Sequence, residues 1–289
     1  MNTIISGFSD EISDDLETQI KTVKRLGMNY ISLRGINGRN IGDIAIEDFK
    51  PIFDMLQTNN VKVSSIGSPI GKVFIDDEEG FQKHIRILDT LCRIANLLDC
   101  KYIRIFSFFI KKEENYDDFE DEVIEKIKQF AHIAEKYGVM LLHENEKDIF
   151  GDIARRCKLM FDKVNSPSFR AIFDFANFVQ CGEKTPQAYA LLKEYIVYFH
   201  IKDVAYDKSY NVLCGTGDGK IAEILTEAIH GGYQGFLTLE PHLAMFGSLQ
   251  SLELEDASSV VNTEAKITGE QGYEMQYNAL KKILQNIKI

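Results

Sequence analysis

The sequence predicts a (β/α)8 barrel on three observations: short β-branched or aromatic runs alternate with segments of helical period, several helix-to-strand junctions carry glycine, and four consecutive strands end in metal-ligating residue types. Eight runs read as strands, at residues 3–7, 29–33, 61–66, 102–106, 139–144, 171–174, 197–201 and 236–240. Amphipathic stretches separate them at 16–26, 49–59, 81–98, 119–137, 153–164, 186–195 and 221–230, and a last helix is expected at 273–286. Such alternation marks βα units and a parallel sheet. Leu26-Gly27, Tyr137-Gly138 and Gly231-Gly232 place glycine where a helix C-cap requires left-handed backbone. A doubly wound open sheet would carry a Gly-rich phosphate turn after its first strand, where this chain reads Gly7-Phe8-Ser9-Asp10-Glu11. The longest irregular segment, roughly residues 243–270, follows the eighth strand and has the length of an active-site lid.

Composition narrows the function classes. A chain of 289 residues with 45% apolar and 27% charged residues suits a barrel that occupies residues 1–289 as one domain. The five cysteines are odd in number, widely spaced and free of any CxxC pair, so neither a disulfide framework nor a zinc knuckle is expected. The N-terminal residues lack the basic and apolar regions of a secretory signal, and no apolar run approaches the roughly 20 residues of a membrane span. A soluble, cytoplasmic protein is expected, without a membrane partner. A formal charge of −11 repels a polyanion and argues against nucleic acid as a partner. The expected partner is a small molecule, and exposed barrel helices leave room for a homo-oligomer.

Chemistry in such a barrel sits at the C-terminal ends of the strands. The fifth strand closes His143-Glu144-Asn145-Glu146, the sixth Phe173-Asp174-Phe175-Ala176-Asn177, the seventh Phe199-His200-Ile201-Lys202-Asp203, and the eighth Leu239-Glu240-Pro241-His242. Residues i and i+2 face the same side of a strand, so Glu240 shares the inner face with Phe236 and Thr238. By the same rule His200 groups with Tyr198 and Lys202, and Asp174 with Ile172 and Ala176. On the fifth strand either His143 or Glu144 can face inward. One acidic residue at a strand end is more often a helix cap or a surface charge. The metal reading rests on four such positions in consecutive strands.

Three carboxylates and one imidazole suit a single divalent ion, Mn²⁺ first, with Mg²⁺, Co²⁺ or Zn²⁺ as alternatives. Such an ion can acidify the C–H beside a sugar carbonyl and stabilise the enediolate, leaving a base and an acid to be supplied by the protein. Glu144 and Glu240, from well-separated strands, are the candidates. Lys202 and Arg104 are candidate contacts to substrate oxygens or phosphate, each with an ion-pairing role as the simpler alternative. His242 is a further candidate, with its direction left open by Pro241. In Gly215-Thr216-Gly217-Asp218-Gly219 a tight loop with Asp218 capping the next helix is expected over a ligand loop.

The chain resembles the sugar phosphate isomerase/epimerase family of xylose-isomerase-like barrels over most of its length. The resemblance is carried by Phe8-Ser9-Asp10-Glu11-Ile12-Ser13, Ile31-Ser32-Leu33-Arg34, Ile103-Arg104-Ile105-Phe106-Ser107, Phe173 to Phe178, Tyr198 to Asp203, Gly215 to Gly219 and Leu239-Glu240-Pro241-His242-Leu243. It implies a barrel, Glu144, Asp174, His200 and Glu240 as metal ligands, and the two glutamates as the acid/base pair. It also selects Glu144 over His143. Departures from the family pattern fall at Ser32, Glu146 and Asn177; Asn177 is able to hydrogen-bond a hydroxyl but is a poor metal ligand.

The expected activity is metal-dependent isomerisation or epimerisation of a sugar or sugar phosphate. Dehydration of a keto-polyol is the alternative, because β-elimination begins with the same proton removal. Abasic-site nucleases that share the barrel use a His-rich zinc cluster, which six histidines, only one of them in the ligand set, do not supply. A metal-free sugar-binding barrel is disfavoured by the intact ligand set.

Overall fold

A computed structural model describes residues 3–247, 249–251 and 257–287. Eight parallel strands form the sheet: β1 (Ile4–Gly7), β2 (Tyr30–Leu33), β3 (Lys62–Gly67), β4 (Tyr102–Ile105), β5 (Met140–Glu144), β6 (Phe169–Asp174), β7 (Ile196–Ile201) and β8 (Phe236–Leu239). Each strand from β2 to β8 pairs with the next, and β8 pairs with β1. The ring closes at the β1–β2 seam through one parallel bridge, Phe8 to Ser32. Register shifts at Ile31/Ser32 and Ala171/Ile172 bend the sheet around.

Around it lie α1 (Leu16–Arg25), α2 (Lys50–Thr58), α3 (Glu78–Leu97), α4 (Glu120–Tyr137), α5 (Ala154–Val164), α6 (Phe175–Gln180), α7 (Thr185–Leu192), α8 (Ile221–His230) and α9 (Gly269–Asn286). Caps explain most departures from the hydrophobic pattern. Asp77 accepts from Gly80 N and starts α3 ahead of its first core residue, Phe81. Thr268 and Gln271 form a reciprocal capping box that starts α9 four residues before Tyr273. The junction glycines take left-handed backbone at Gly27, Gly138 and Gly232, with φ of 77°, 67° and 92°. α6 is an extra turn of helix that the periodicity did not signal, nucleated at the end of β6.

Alternation along the strands divides the core in two. Leu142, Ile172 and Tyr198 point into the barrel with Tyr102, Met140 and Phe236 around them. Their strand neighbours Leu141, Phe173, Phe199 and Leu237 pack outward against helical residues such as Leu88 and Phe130. The interior is therefore filled, and the places left for chemistry are its ends.

One loop expectation changes. Asp218 does not cap α8: it accepts from Tyr206 N, while Lys220 holds the N-cap position with left-handed backbone and no side-chain bond. The Gly-rich loop is instead wrapped on Asp203, whose carboxylate accepts N–H groups from Gly215, Gly217 and Gly219 at 2.8–3.0 Å. A side chain at Gly217 would stand 2.5 Å from Asp203 Oδ1, so the close approach requires glycine. In the segment expected as a lid, 3₁₀ turns at Leu249–Ser251, Ala257–Val260 and Thr263–Ala265 follow one another, and Leu249, Val260 and Val261 form a small core with Phe246. Residues 248 and 252–256 of that segment lie outside the described residues. Among the described residues no helix is long and apolar enough to cross a membrane.

Candidate metal centre

The four strand-end residues converge. Glu144, Asp174, His200 and Glu240 each offer one ligand atom, and these atoms lie within 4.8 Å of one another. All four are buried. Strand parity settles β5: Met140, Leu142 and Glu144 face inward, whereas His143 points toward the helices, bonds Ser107 Oγ at 3.0 Å and packs edge-on to Phe161 and Phe169. Burial lowers His143 to about 3, so it remains neutral in that apolar setting.

Asp174 answers two demands at once. Its Oδ1 accepts from Asn177 N at 2.8 Å and caps α6, while its Oδ2 has no hydrogen-bond partner. Asn145 fixes this strand end from both sides, accepting from Asp174 N at 3.0 Å and donating to Asp174 O at 3.1 Å. The Asn177 side chain lines the cleft and donates to Asn145 O at 2.8 Å. It thereby braces the β5 and β6 ends against each other.

The charges are tightly interlocked. His200 Nδ1 is 2.6 Å from Glu144 and 3.2 Å from Glu240. Burial disfavours an imidazolium, but the two glutamates outweigh it and hold His200 at about 9. Arg104 faces inward and donates to Glu144 Oε2 at 3.1 Å. Lys202 pairs with Asp174 at 3.3 Å and Glu240 at 3.6 Å rather than with its neighbour Asp203. Burial pushes Asp174 up to about 7, with Lys202 pulling the other way. Glu144 and Glu240 sit below their ordinary values: burial would raise them, and the facing cations, His200 for Glu144 and Lys202 for Glu240, prevail.

Sequence reasoning missed a second tier of residues from the β1 and β2 ends. Fully buried Arg34 donates to Glu240 Oε1 at 2.9 Å, Asp10 Oδ2 at 2.8 Å and Glu11 Oε1 at 3.2 Å. Its guanidinium lies between the rings of Phe8 and Phe246, 4.2 and 5.1 Å from their centroids. Burial raises Glu11 to about 8 against the pull of Arg34. His242 has left-handed backbone (φ 46°), donates its N–H to Glu11 Oε2 at 2.7 Å and places Nε2 3.6 Å from Glu240. Asp10, Glu11 and Arg34 stood in stretches noted for their resemblance, but nothing local announced that one arginine would join them to Glu240.

The donor set fits a divalent cation on physical grounds. Three carboxylates meet in one buried place, and Asp174 Oδ2, Glu240 Oε2 and His200 Nε2 are left without hydrogen-bond partners. Buried carboxylates gathered this closely are costly unless cations join them; Lys202 does so from 3.3 and 3.6 Å, and a divalent ion would do so by direct ligation. The cleft above them is narrow and is lined by Arg104, Lys202, Asn177 and His242 together with Lys72, Phe106 and Glu146.

Comparison with known proteins agrees with the barrel. The family model described as xylose isomerase-like TIM barrel matches residues 20–256. A curated relative, the probable L-ribulose-5-phosphate 3-epimerase UlaE of Mycoplasma pneumoniae, is 25% identical over 203 residues, covering 70% of this chain. The match spans 64% of that relative's length. Among solved structures, the IolI protein with a bound zinc atom superposes with a TM-score of 0.76 at 15% identity, covering 100% of this chain and 99% of its own. A xylose isomerase-like TIM barrel protein from Mycobacterium smegmatis in complex with magnesium gives 0.71 at 14% identity, with 97% of each chain covered. With its barrel and the family model in agreement over most of its length, this chain belongs to the xylose isomerase-like TIM barrel family.

Proposed function

We propose that the protein is a divalent-metal-dependent isomerase or epimerase that moves a proton at a carbon beside the carbonyl of a sugar or sugar phosphate. The observation that carries this reading is the placement of two buried glutamates, from strands separated by two others, on a shared buried cluster with orphaned ligand atoms. Glu144, Asp174, His200 and Glu240 would hold the ion, with Mn²⁺ the first candidate for an oxygen-rich set; zinc and magnesium in the similar structures keep those metals open. The ion's contribution is to polarise vicinal carbonyl and hydroxyl oxygens.

Proton transfer falls to the protein. Glu144 and Glu240 are both held as carboxylates, so either can take the proton from carbon; the other, protonated from solvent, returns one to carbon, and the first then releases its proton to solvent. Approach from opposite faces of the carbon inverts its configuration, whereas return to the neighbouring carbon isomerises the sugar. Arg104 and Lys202 hold the glutamates in place and offer N–H groups to substrate oxygens.

The test is hydrogen exchange. With Mn²⁺ in D₂O, a panel of ketoses, aldoses, inososes and their phosphates is followed by NMR. The reading expects deuterium to enter one carbon next to the carbonyl, with Glu240→Gln slowing entry by roughly 10²–10⁴-fold. Exchange that is independent of metal and unaffected by Glu144→Gln and Glu240→Gln would remove it, and net loss of water would move the assignment to dehydration.

A further inference from the structure

We infer that Lys202 regulates the loading of the metal centre: its ammonium and a divalent ion compete for the same two oxygen atoms, Asp174 Oδ2 and Glu240 Oε2. This rests on the metal-dependent function proposed above and concerns the filling of that same site. Both carboxylates have one oxygen already committed. Asp174 Oδ1 accepts from Asn177 N at 2.8 Å and caps α6, and Glu240 Oε1 accepts from Arg34 at 2.9 Å. What each has to give an ion is its other oxygen, and neither Asp174 Oδ2 nor Glu240 Oε2 has a hydrogen-bond partner among the described residues. Lys202 Nζ lies against both, 3.3 Å from Asp174 Oδ2 and 3.6 Å from Glu240 Oε2. His200 Nδ1, 3.2 Å from Glu240 Oε2, is itself in the ligand set.

The other cations that touch the ligand carboxylates do not compete in this way. Arg104 meets Glu144 at Oε2 from 3.1 Å and comes within 3.8 Å of Glu240 Oε1, and Arg34 meets Glu240 at Oε1. Those contacts leave Asp174 Oδ2 and Glu240 Oε2 to an ion, whereas the Lys202 contacts fall on them. Lys202 is also tethered there. It follows β7 directly, two residues past His200 on the same face, and its side chain is buried. An ion and an ammonium on one pair of oxygens repel each other in a setting where charges are weakly screened. Either the ammonium turns off the carboxylates into the cleft that it lines, or the ion binds against its charge. Both lower the affinity of the four ligands for an ion, while the carboxylates without an ion keep a counter-charge. The centre therefore fills at an ion concentration set by Lys202 as well as by its ligands.

The experiment titrates chelator-treated wild type, Lys202→Met and Lys202→Arg with Mn²⁺ by calorimetry and melts each protein with and without the ion. Lys202→Met, of similar length and without charge, is expected to bind Mn²⁺ roughly tenfold or more tighter than wild type. Lys202→Arg, which keeps the charge, should not tighten binding. Metal-free Lys202→Met should melt below wild type, because Asp174 and Glu240 lose a counter-charge, and Mn²⁺ should raise its melting temperature by more than it raises that of wild type. If the metal-free variant does not stay folded, it is prepared with Mn²⁺ in place, and more chelator should then be needed to strip half of the ion from it than from wild type. Equal or weaker binding by Lys202→Met overturns the inference and leaves the metal-dependent function standing, the ammonium then only steadying the ligands. Equal tightening by Lys202→Arg does the same. Absence of Mn²⁺ binding by both wild type and Lys202→Met overturns both.

Discussion

The waist of the barrel and its mouth are two residues apart along β7 and β8, and they treat buried polar atoms differently. At the waist, Tyr198 and Thr238 join a chain of hydroxyls: Tyr198 donates to Ser64 Oγ at 2.9 Å, lies 3.0 Å from Ser65 Oγ and accepts from Thr238 Oγ1 at 2.6 Å. Ser6 and Ser32 extend it through Ser64 and Ser65. Each of these hydroxyls has a partner. At the mouth, one step up the same strands, His200 and Glu240 meet Glu144 and Asp174, and three ligand atoms have no hydrogen-bond partner. The waist is neutral and satisfied, as a structural core should be. The mouth departs from that rule at the place where chemistry is proposed, which is where such departures are expected.

Breaking each layer should therefore have different consequences. The largest effect on folding is expected where the mouth is anchored. Arg34→Met strands Asp10, Glu11 and Glu240 without their shared counter-charge, and loss of one partner from a buried ionic cluster costs roughly 3–5 kcal/mol. Urea denaturation of metal-free protein would show it; an unchanged midpoint would mean that Arg34 is not the anchor.

Tyr198→Phe breaks the waist. It removes the hydroxyl to which Ser64, Ser65 and Thr238 are joined, and about 1–3 kcal/mol of stability should go with it. Metal affinity should be retained, because no ligand atom is touched. Parallel losses of stability and metal affinity would erase the distinction between the layers.

A smaller effect lies outside both layers. His84 on α3 is buried, accepts Gly71 N–H at 3.0 Å through Nδ1, and is lowered from 6.5 to about 4 mainly by burial. Between those pH values the unfolded chain binds a proton that the folded chain refuses, so stability falls as pH drops from about 6.5 toward 4. His84→Gln retains an acceptor that does not titrate and should flatten that part of the curve. Identical curves for the two proteins would show that His84 stays uncharged for no energetic reason.

Much of this architecture was legible in the sequence because it is local. Strand parity placed Glu240, His200 and Asp174 on the inner face, and the junction glycines marked helix ends. Where the signal is tertiary, the sequence was silent or ambiguous. His143 and Glu144 are adjacent, and it takes the inward packing of Met140 and Leu142 and the packing of Phe161 and Phe169 against the imidazole to show which one turns outward. The Arg34 cluster joins residues more than 200 positions apart, and the Lys72–Glu146 pair spans two loops. The expectation for Asp218 failed because Asp203 gathers the glycine N–H groups, leaving Asp218 to bond Tyr206.

The central claim is that the orphaned atoms at the mouth exist to hold one divalent ion. Calorimetric titration of chelator-treated protein with Mn²⁺, in parallel with Asp174→Asn, tests it most directly. The carboxamide oxygen introduced by that substitution can still accept from Asn177 N, so α6 keeps its cap, and because burial already raises Asp174 to about 7, the neutral side chain should leave the metal-free fold no less stable. The account predicts one Mn²⁺ per chain for wild type and loss of most of that affinity in a variant that melts at or above the wild-type temperature. Absence of binding by wild type, or equal binding by both proteins, would contradict it.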